Sequence, residues 1–274
     1  MSHQTLKPDL QFQNATGPVR IRMTNDYLFK ATLQSNEFAL AGLSAALLHL
    51  PPESIKNVEV TNPIILGEDY EEKTIVLDVN VCLNNNTRLN LEIQVVNYHD
   101  WPERSTYYAC RNFARLHHGE LYRDVKPAHQ IGILDFSPFP DHPAFYSTYR
   151  LRDDASGRLY TDKFSIRVLE LNNVSLATDE DKRYNIDKWA ILYKSRTWED
   201  IKMVASKDPA IFAAANTIYK LSEDERIRQQ CEAREDFLRR ELATQREREE
   251  LHAQLAQKDE EIARLKALLA EKDK

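Results

Sequence analysis

The stretch that decides the fold is "TIVLDVNVCLNNNTRLNLEIQVV", residues 74–96. It predicts two β-strands joined by a polar turn, because apolar and polar residues alternate on both sides of the asparagines. In the first strand Asp78 lies on the more polar face, and in the second Glu92 and Gln94 share a face with Asn90. The apolar faces can then pack on one helical layer, while the polar faces converge on the opposite side.

The length of the turn decides whether the two acids are neighbours. Paired residues of an antiparallel ladder point the same way, so Asp78 and Glu92 share a face only if the loop has an odd number of residues. Two close carboxylates raise each other's pKa unless a cation lies between them. Both acids, the backbone carbonyl of Ile93 and water form an oxygen set suited to Mg²⁺ or Mn²⁺, and Gln94 can orient a bound water. The alternative is a solvent-facing hairpin with ordinary polar residues.

Composition narrows the class of protein. The chain has 274 residues, 42% hydrophobic and 9% aromatic, which predicts one globular main domain. Its formal net charge of -6 repels nucleic acid overall, so a nucleic-acid function needs a local basic surface or bound metal cations. Three scattered cysteines predict neither a disulfide framework nor a metal knuckle, and indicate a reducing cytoplasm. The apolar run 38–50 is shorter than the roughly 20 residues that span a bilayer, so no membrane segment is expected.

The order of elements predicts a mixed α/β fold with helices on a central sheet. We expect one or two helices before Pro51 and Pro52, and then a short strand at 58–66 before the hairpin. A helix from Trp101 that ends near Gly119 follows, with strands at 129–136 and 163–171 and further helices from about residue 186. Residues 1–20 read as a flexible tail, 21–221 as the main domain and 222–274 as a charged helix.

The charged C-terminal segment carries a heptad pattern. Leucine or isoleucine recurs at the a and d positions, which predicts a short coiled coil and a parallel homodimer. A single solvated helix with ion pairs between neighbouring turns is the alternative. Lys258 interrupts the pattern at one d position. The apolar positions are Leu251, Leu255, Ile262, Leu265 and Leu269.

The stretch "LDVNVCLNNNTRLNLEIQV" resembles the active-site hairpin of the PD-(D/E)XK nuclease superfamily, and more specifically that of the Rpn family of recombination-promoting nucleases and putative transposases. "NDYLFKATL" resembles the family's D-x-x-F-K helix, and "RSTYYACRNFARLHHGELYRDVKPAHQIGILDF" its helix, Gly-x-x-Tyr turn and core strand. The resemblance covers approximately residues 22 to 240. It implies a restriction-endonuclease-like fold and metal-dependent phosphodiester hydrolysis in DNA.

The resemblance also assigns expected roles to single residues. Asp78 and Glu92 fall on the metal-ligand positions, and Gln94 falls where the superfamily usually has lysine. Asp26 in the first motif is expected either to complete the metal site or to cap a helix. Lys30, one turn later, is expected either to reach a phosphate or to be solvated.

The helix after the hairpin is expected to supply the local basic surface. Arginines at spacings near multiples of a helical turn, with interleaved tyrosines, would suit phosphate contacts and base stacking. The alternative places the tyrosines in the core and the arginines in solvent. The expected DNA-binding residues here are Arg104, Tyr107, Arg111, Arg115 and Lys126.

Three functions from different classes follow. The first is a metal-dependent DNA endonuclease. The second is a catalytically weak nuclease fold that acts as a DNA-binding or oligomerisation module, because the neutral amide of Gln94 cannot stabilise developing negative charge as an ammonium would. The third is a pure oligomerisation scaffold without a metal site.

Overall fold

A computed structural model of the chain describes residues 12–62, 64, 78–84, 86–116 and 118–272, with side chains through residue 266. The predicted strand residues 74–77 and the first eleven residues of the predicted tail lie outside this part. The α-helices in it are α1 (Asp26–Ser35), α2 (Glu37–Leu48), α3 (Trp101–Phe113), α4 (Asp179–Arg183), α5 (Ile186–Lys194), α6 (Trp198–Ala205), α7 (Pro209–Glu223) and α8 (Glu225–Lys272). The strands are β1 (Val58–Val60), β2 (Val79–Leu83), β3 (Thr87–Gln94), β4 (Ala128–Leu134), β5 (Tyr146–Tyr149) and β6 (Phe164–Glu170).

The strands form one mixed sheet in the order β1-β2-β3-β4-β6-β5. The central strands β3, β4 and β6 are parallel, while β1, β2 and β5 join antiparallel toward the two edges. Parallel neighbours require a crossover, and α3 lies in the connection between β3 and β4. The predicted mixed sheet flanked by helices, with a restriction-endonuclease-like fold, is confirmed.

The hairpin has the predicted odd turn. Leu83 of β2 pairs with Thr87 of β3, so the three residues 84–86 connect the strands. Asn84 has a φ of 49°, in the left-handed region that asparagine tolerates better than most residues. The register that follows from this turn puts the two polar faces of the hairpin on the same side of the sheet.

Two elements differ from the sequence prediction. The predicted helix reaches only to Phe113, because the backbone carbonyl of Arg115 accepts from both terminal nitrogens of Arg88 at 3.2 Å and the chain turns toward β3. Strand β5 was not predicted. It pairs only with β6 at the sheet edge and its burial does not alternate, so its sequence lacks the period of two that marks a half-buried strand.

The sheet separates an apolar face from a polar one. Leu89, Leu91 and Ile93 of β3 join the main hydrophobic core, which also contains side chains of α1, α2, α5, α6 and α7. The opposite face carries the alternate residues of β3 and is covered by α3. There Trp101 packs with Leu134 in a separate small cluster. This arrangement confirms that the apolar faces of the hairpin pack on one helical layer, with the polar faces opposite.

The chain divides into two compact units, one through Arg234 and one from Glu235. Helix α8 begins in the first unit and supplies all of the second that the structure describes. The predicted division at 221/222 stays a prediction. In the second unit the predicted heptad residues are exposed: Leu251 by 58%, Leu255 by 54%, Ile262 by 47% and Leu265 by 54%. The side chain of Leu269 lies outside the described part of the chain.

None of the helices in the described part of the chain combines the length with the apolar character that a membrane crossing requires.

We expect Gly132→Ala to destabilise the fold, because a Cβ at this position would overlap the ring of Trp101, which is only 2% exposed and cannot move away freely. The expected loss is about 2 kcal/mol, the usual scale for overpacking. Chemical denaturation would measure it. Gly157→Ala is the control, since a Cβ there meets no atom and costs only the left-handed backbone, about 1 kcal/mol. Equal losses in the two variants would show that α3 does not pack on β4 as described.

Candidate functional site

Two carboxyl groups meet at the end of the hairpin. Asp78 immediately precedes β2, and the ladder pair of Val79 with Leu91 puts it beside Glu92 on β3. The side chains of Glu92 and Gln94 lie on the polar face that α3 covers. Both acids are buried, Asp78 with 9% and Glu92 with 3% of its surface exposed. The structure therefore brings together the three residues that the sequence placed on one face.

Two buried amides link these acids, and the sequence analysis missed one of them, Gln130. Asn90 donates from Nδ2 to Gln130 Oε1 at 2.8 Å and, more weakly, to Asp78 Oδ2 at 3.5 Å. Gln130 in turn donates from Nε2 to Glu92 Oε2 at 3.3 Å. Gln130 is fully buried in a strand that is otherwise apolar except for the half-buried His129. A lone glutamine in such a strand was the available signal, because a buried amide needs a polar partner.

The other oxygen of Glu92 accepts two further hydrogen bonds. Gln94 Nε2 donates to Oε1 at 2.9 Å and Arg104 Nε at 2.8 Å. Arg104 lies in the first turn of α3, where its guanidinium carbon is 5.4 Å from the centre of the Tyr108 ring. Its side chain is 33% exposed, and its two terminal nitrogens make no hydrogen bond to any residue that the structure describes. Arg104 is therefore part of the carboxylate site, and its side chain is partly exposed to solvent.

Lys30 does not lie where the sequence analysis expected it. Its side chain is 1% exposed, and Nζ donates to the backbone carbonyl of Asp78 at 3.0 Å. Burial lowers the pKa of Lys30 to about 8, although the nearby Asp78 carboxylate opposes this shift. The prediction of a solvated or phosphate-binding lysine is wrong, because α1 is buried along most of its length and directs this side chain beneath the hairpin.

The carboxylate of Asp26 forms an ion pair with the guanidinium group of Arg234. Arg234 Nε donates to both of its carboxylate oxygens, at 3.0 and 2.8 Å, and Arg234 Nη2 lies 2.8 Å from Oδ2. The side chain of Asn25 takes the capping role by accepting from the backbone N–H of Leu28 at 3.1 Å. Within the described ranges, no group of three or more His, Cys, Asp or Glu residues could hold a metal. The alternative that Asp26 caps α1 is therefore wrong, and the expectation that Asp26 completes the metal site stays a prediction.

Both acids have a raised pKa, as predicted. Burial is the largest cause for each of them, and it raises the pKa of Glu92 from its ordinary 4.5 to about 7. The neighbouring Asp78 carboxylate adds to the rise at Glu92, while Arg104 opposes it. Burial also raises the pKa of Asp78, again against Arg104. The predicted cause, mutual repulsion, is thus secondary to the loss of hydration.

The remaining predicted DNA-binding residues lie on or near the surface. Tyr107 is 63% exposed, and Arg111 and Arg115 are exposed as well. Lys126 is half-buried after the turn that follows α3. Their role in DNA binding stays a prediction.

The site offers oxygen atoms of the kind that hard divalent cations bind. Asp78 and Glu92 supply carboxylate oxygens, and the burial of both groups, which raises their pKa, leaves their charges poorly hydrated. The buried Oδ1 of Asn90 accepts no hydrogen bond from any described residue. Ile93, whose backbone carbonyl is a predicted ligand, lies between Glu92 and Gln94 on β3. Mg²⁺ is commonly held by one or two carboxylates plus water and phosphate, so these residues fit such an ion.

Comparison with known proteins identifies the family of this chain. The model for the PD-(D/E)XK nuclease family transposases matches residues 23–247. The chain belongs to this family. Searches of curated proteins and of solved structures each returned no match. The matched range contains the hairpin, α3 and the start of α8, so the acids and Arg104 lie within the family's domain, and the family indicates a nuclease-type function with DNA as the substrate class.

The raised pKa of Glu92 predicts a pH dependence of stability. A carboxyl with a higher pKa in the folded chain binds more protons when folded, so its contribution is greatest below the unfolded value. We expect this contribution to fall as the pH rises from about 4.5 to about 7. The Glu92→Gln variant carries no such charge. Its melting temperature should therefore increase relative to that of the wild type as the pH rises from about 5 to about 8.

Thermal unfolding in a chelating buffer would measure this gain. Glu59→Gln is the control, because it makes the same substitution at an exposed residue of β1, outside the site. A Glu92→Gln offset that stays constant with pH would contradict the assignment of a buried, partly protonated Glu92.

Proposed function

We propose that this chain is a metal-dependent DNA endonuclease in which Asp78 and Glu92 hold Mg²⁺ or Mn²⁺. The observation that carries the proposal is the pair of buried carboxylates on one face of the β2–β3 hairpin, with Gln94 and Arg104 both bonded to Glu92 Oε1. A buried acid pair of this kind is costly to hold without a cation, and such costly arrangements concentrate at functional sites.

When bound, a divalent cation lowers the pKa of a coordinated water and offsets the charge of the phosphoryl group. Asp78 and Glu92 are its carboxylate ligands in this proposal, with the backbone carbonyl of Ile93 beside them. Glu92 must lose its proton to bind a cation, so metal affinity should rise with pH through about 7.

Gln94 positions the attacking water. Its Nε2 is occupied by Glu92, which leaves its side-chain oxygen to accept from a water molecule, since that oxygen bonds to no described residue. The amide can orient this water but cannot remove its proton or carry positive charge.

Arg104 supplies the positive charge that Gln94 lacks. Glu92 fixes the guanidinium through Nε, and its terminal nitrogens are available for two phosphate oxygens. Unlike a lysine, the arginine stays charged at any working pH. Arg111, Arg115, Tyr107 and Lys126 would then bind the DNA strand farther along and beyond α3.

Asp78→Asn should lower cleavage of supercoiled plasmid DNA in Mg²⁺ or Mn²⁺ by at least about 100-fold, because it removes a ligand charge with little change in volume. Calorimetric Mn²⁺ binding should be lost in the same variant. Asp154→Asn, an exposed residue outside the site, is the control and should match the wild type in both assays. Undiminished cleavage by Asp78→Asn would refute the proposed active site.

A second candidate function is a DNA-binding or oligomerisation module with little or no hydrolysis. The neutral Gln94 favours it, and so does the ion pair that already compensates Glu92 at 2.8 Å. Duplex binding without nicking in Mg²⁺, Mn²⁺ or Ca²⁺ would support this module over the endonuclease.

We also propose that the chain forms a parallel homodimer through its C-terminal helix. In the second unit Leu251, Leu255, Ile262 and Leu265 recur at a and d positions, and each is about half exposed. A stripe of this width matches the seam of a two-stranded coiled coil. Lys258, at a d position, pairs with Glu261 of its own helix at 3.0 Å and would weaken the seam.

We expect the full chain to dimerise with modest affinity, and a chain that ends near Arg240 to be monomeric in light scattering. The double substitution Leu255→Asp and Ile262→Asp should also give a monomer, because it charges two a positions. The matched control is Ala253→Asp with Ala263→Asp, which adds the same charge outside the stripe. If all these chains had the same number of chains per particle in light scattering, this helix would be excluded as the dimer interface.

A further inference from the structure

A second polar cleft, separate from the carboxylates, lies beside Gln94. It has a volume of about 20 Å³, enough for one water-sized group. Its lining consists of three basic residues, one acid and three hydroxyl residues, contributed by the segment before α1, the residue after β4 and the end of α5 with the residues that follow it. These residues are Arg22, Thr24, Asp135, Tyr193, Lys194, Ser195 and Arg196.

Backbone hydrogen bonds join the two segments of the chain that carry the arginines of the cleft. The N–H of Val19 donates to the carbonyl of Arg196, and the N–H of Trp198 donates to that of Gly17, both at 2.9 Å. Pro18 and Thr197 form an antiparallel bridge between these pairs. The segment before α1 therefore runs against the start of α6, and Arg22 and Arg196 line the same cleft.

The cleft is positively charged. Lys194 is neutralised by Asp135, because its Nζ lies 2.6 Å from Oδ1. Arg22 and Arg196 are exposed and make no ion pair with any residue that the structure describes. Two positive charges thus remain uncompensated at one small concave site, on a chain whose formal net charge is -6.

The cleft adjoins the carboxylate site through the backbone. The N–H of Asp135 donates to the carbonyl of Gln94 at 2.9 Å, so the cleft lies at the carboxyl ends of β3 and β4. Ligands of open α/β sheets bind at this end of parallel strands. The opposite flank of Glu92 is occupied by Arg104 and α3.

We propose that Arg22 and Arg196 bind a phosphodiester group of the DNA strand next to the one at Asp78 and Glu92. The cleft has room for about one phosphate oxygen, and the rest of the phosphate would stay at its mouth, within reach of the exposed side chains of Arg22 and Arg196. Arginine pairs bind phosphate oxygens through several short, charge-assisted hydrogen bonds. This inference rests on the proposed function, since it takes DNA as the substrate.

The test is the salt dependence of DNA binding by the full chain, measured by fluorescence anisotropy on a labelled duplex in a chelating buffer. Each lost phosphate contact lowers the slope of log affinity against log salt by about 0.9. Arg22→Gln with Arg196→Gln should therefore lower the slope by about 1.8 and weaken binding at every salt concentration. The corresponding lysine substitutions should restore most of the slope, because they keep the charge.

The control is Arg183→Gln, which removes an exposed charge in α4, outside the cleft lining, and should leave the slope unchanged. A wild-type slope in the double variant would overturn the subsite while leaving the endonuclease intact. Absence of DNA binding and cleavage by the wild type would overturn both. Calorimetry with inorganic phosphate covers the other source of the same chemistry: tight binding of the free anion would overturn the assignment to a DNA phosphodiester.

Discussion

The buried carboxylate of Glu92 is the constraint on which the rest of the site depends. A charge that is 3% exposed must be met by donors, and here the donors come from three elements: Gln94 on β3, Gln130 on β4 and Arg104 on α3. The parallel register of β3 with β4 and the packing of α3 on the sheet must both be correct for this carboxylate to be satisfied. Gly132 on β4 contributes to the packing of α3, because the absence of a side chain there allows Trp101, at the start of α3, to approach β4.

The hairpin could be predicted from the sequence because its determinants are local. Alternation along β3 and an odd turn are sufficient to put Asp78 beside Glu92, and neither depends on the rest of the chain. The link through Gln130 could not be found in this way, since the pairing of β3 with β4 joins residues about 40 positions apart. The missed strand β5 has no alternation to detect, and its pairing with β6 is again non-local.

The misplacement of Lys30 and Asp26 has a different physical cause. Charged residues in a helix are usually at the surface, and that expectation fails for α1, whose residues from Asp26 to Leu33 are all buried. Buried charges then require partners from distant parts of the chain: Lys30 bonds to the backbone of Asp78, and Asp26 pairs with Arg234 on α8. Such partners are visible only in three dimensions, so a motif can mark these residues as special without showing what they contact.

Electrostatics explain why an acidic chain can carry a site for a polyanion. The two carboxylates are buried within the fold, where the positive charge of Arg104 opposes both and that of Lys30 opposes Asp78. Arg104 presents its terminal nitrogens on one flank, and on the other Arg22 and Arg196 form no ion pair with a described residue. At physiological ionic strength charges are screened over about 8 Å, so a DNA phosphate at the site responds to these local cations far more than to the net charge of -6. The distribution of charge, rather than its sum, is therefore what makes the proposed substrate compatible with this sequence.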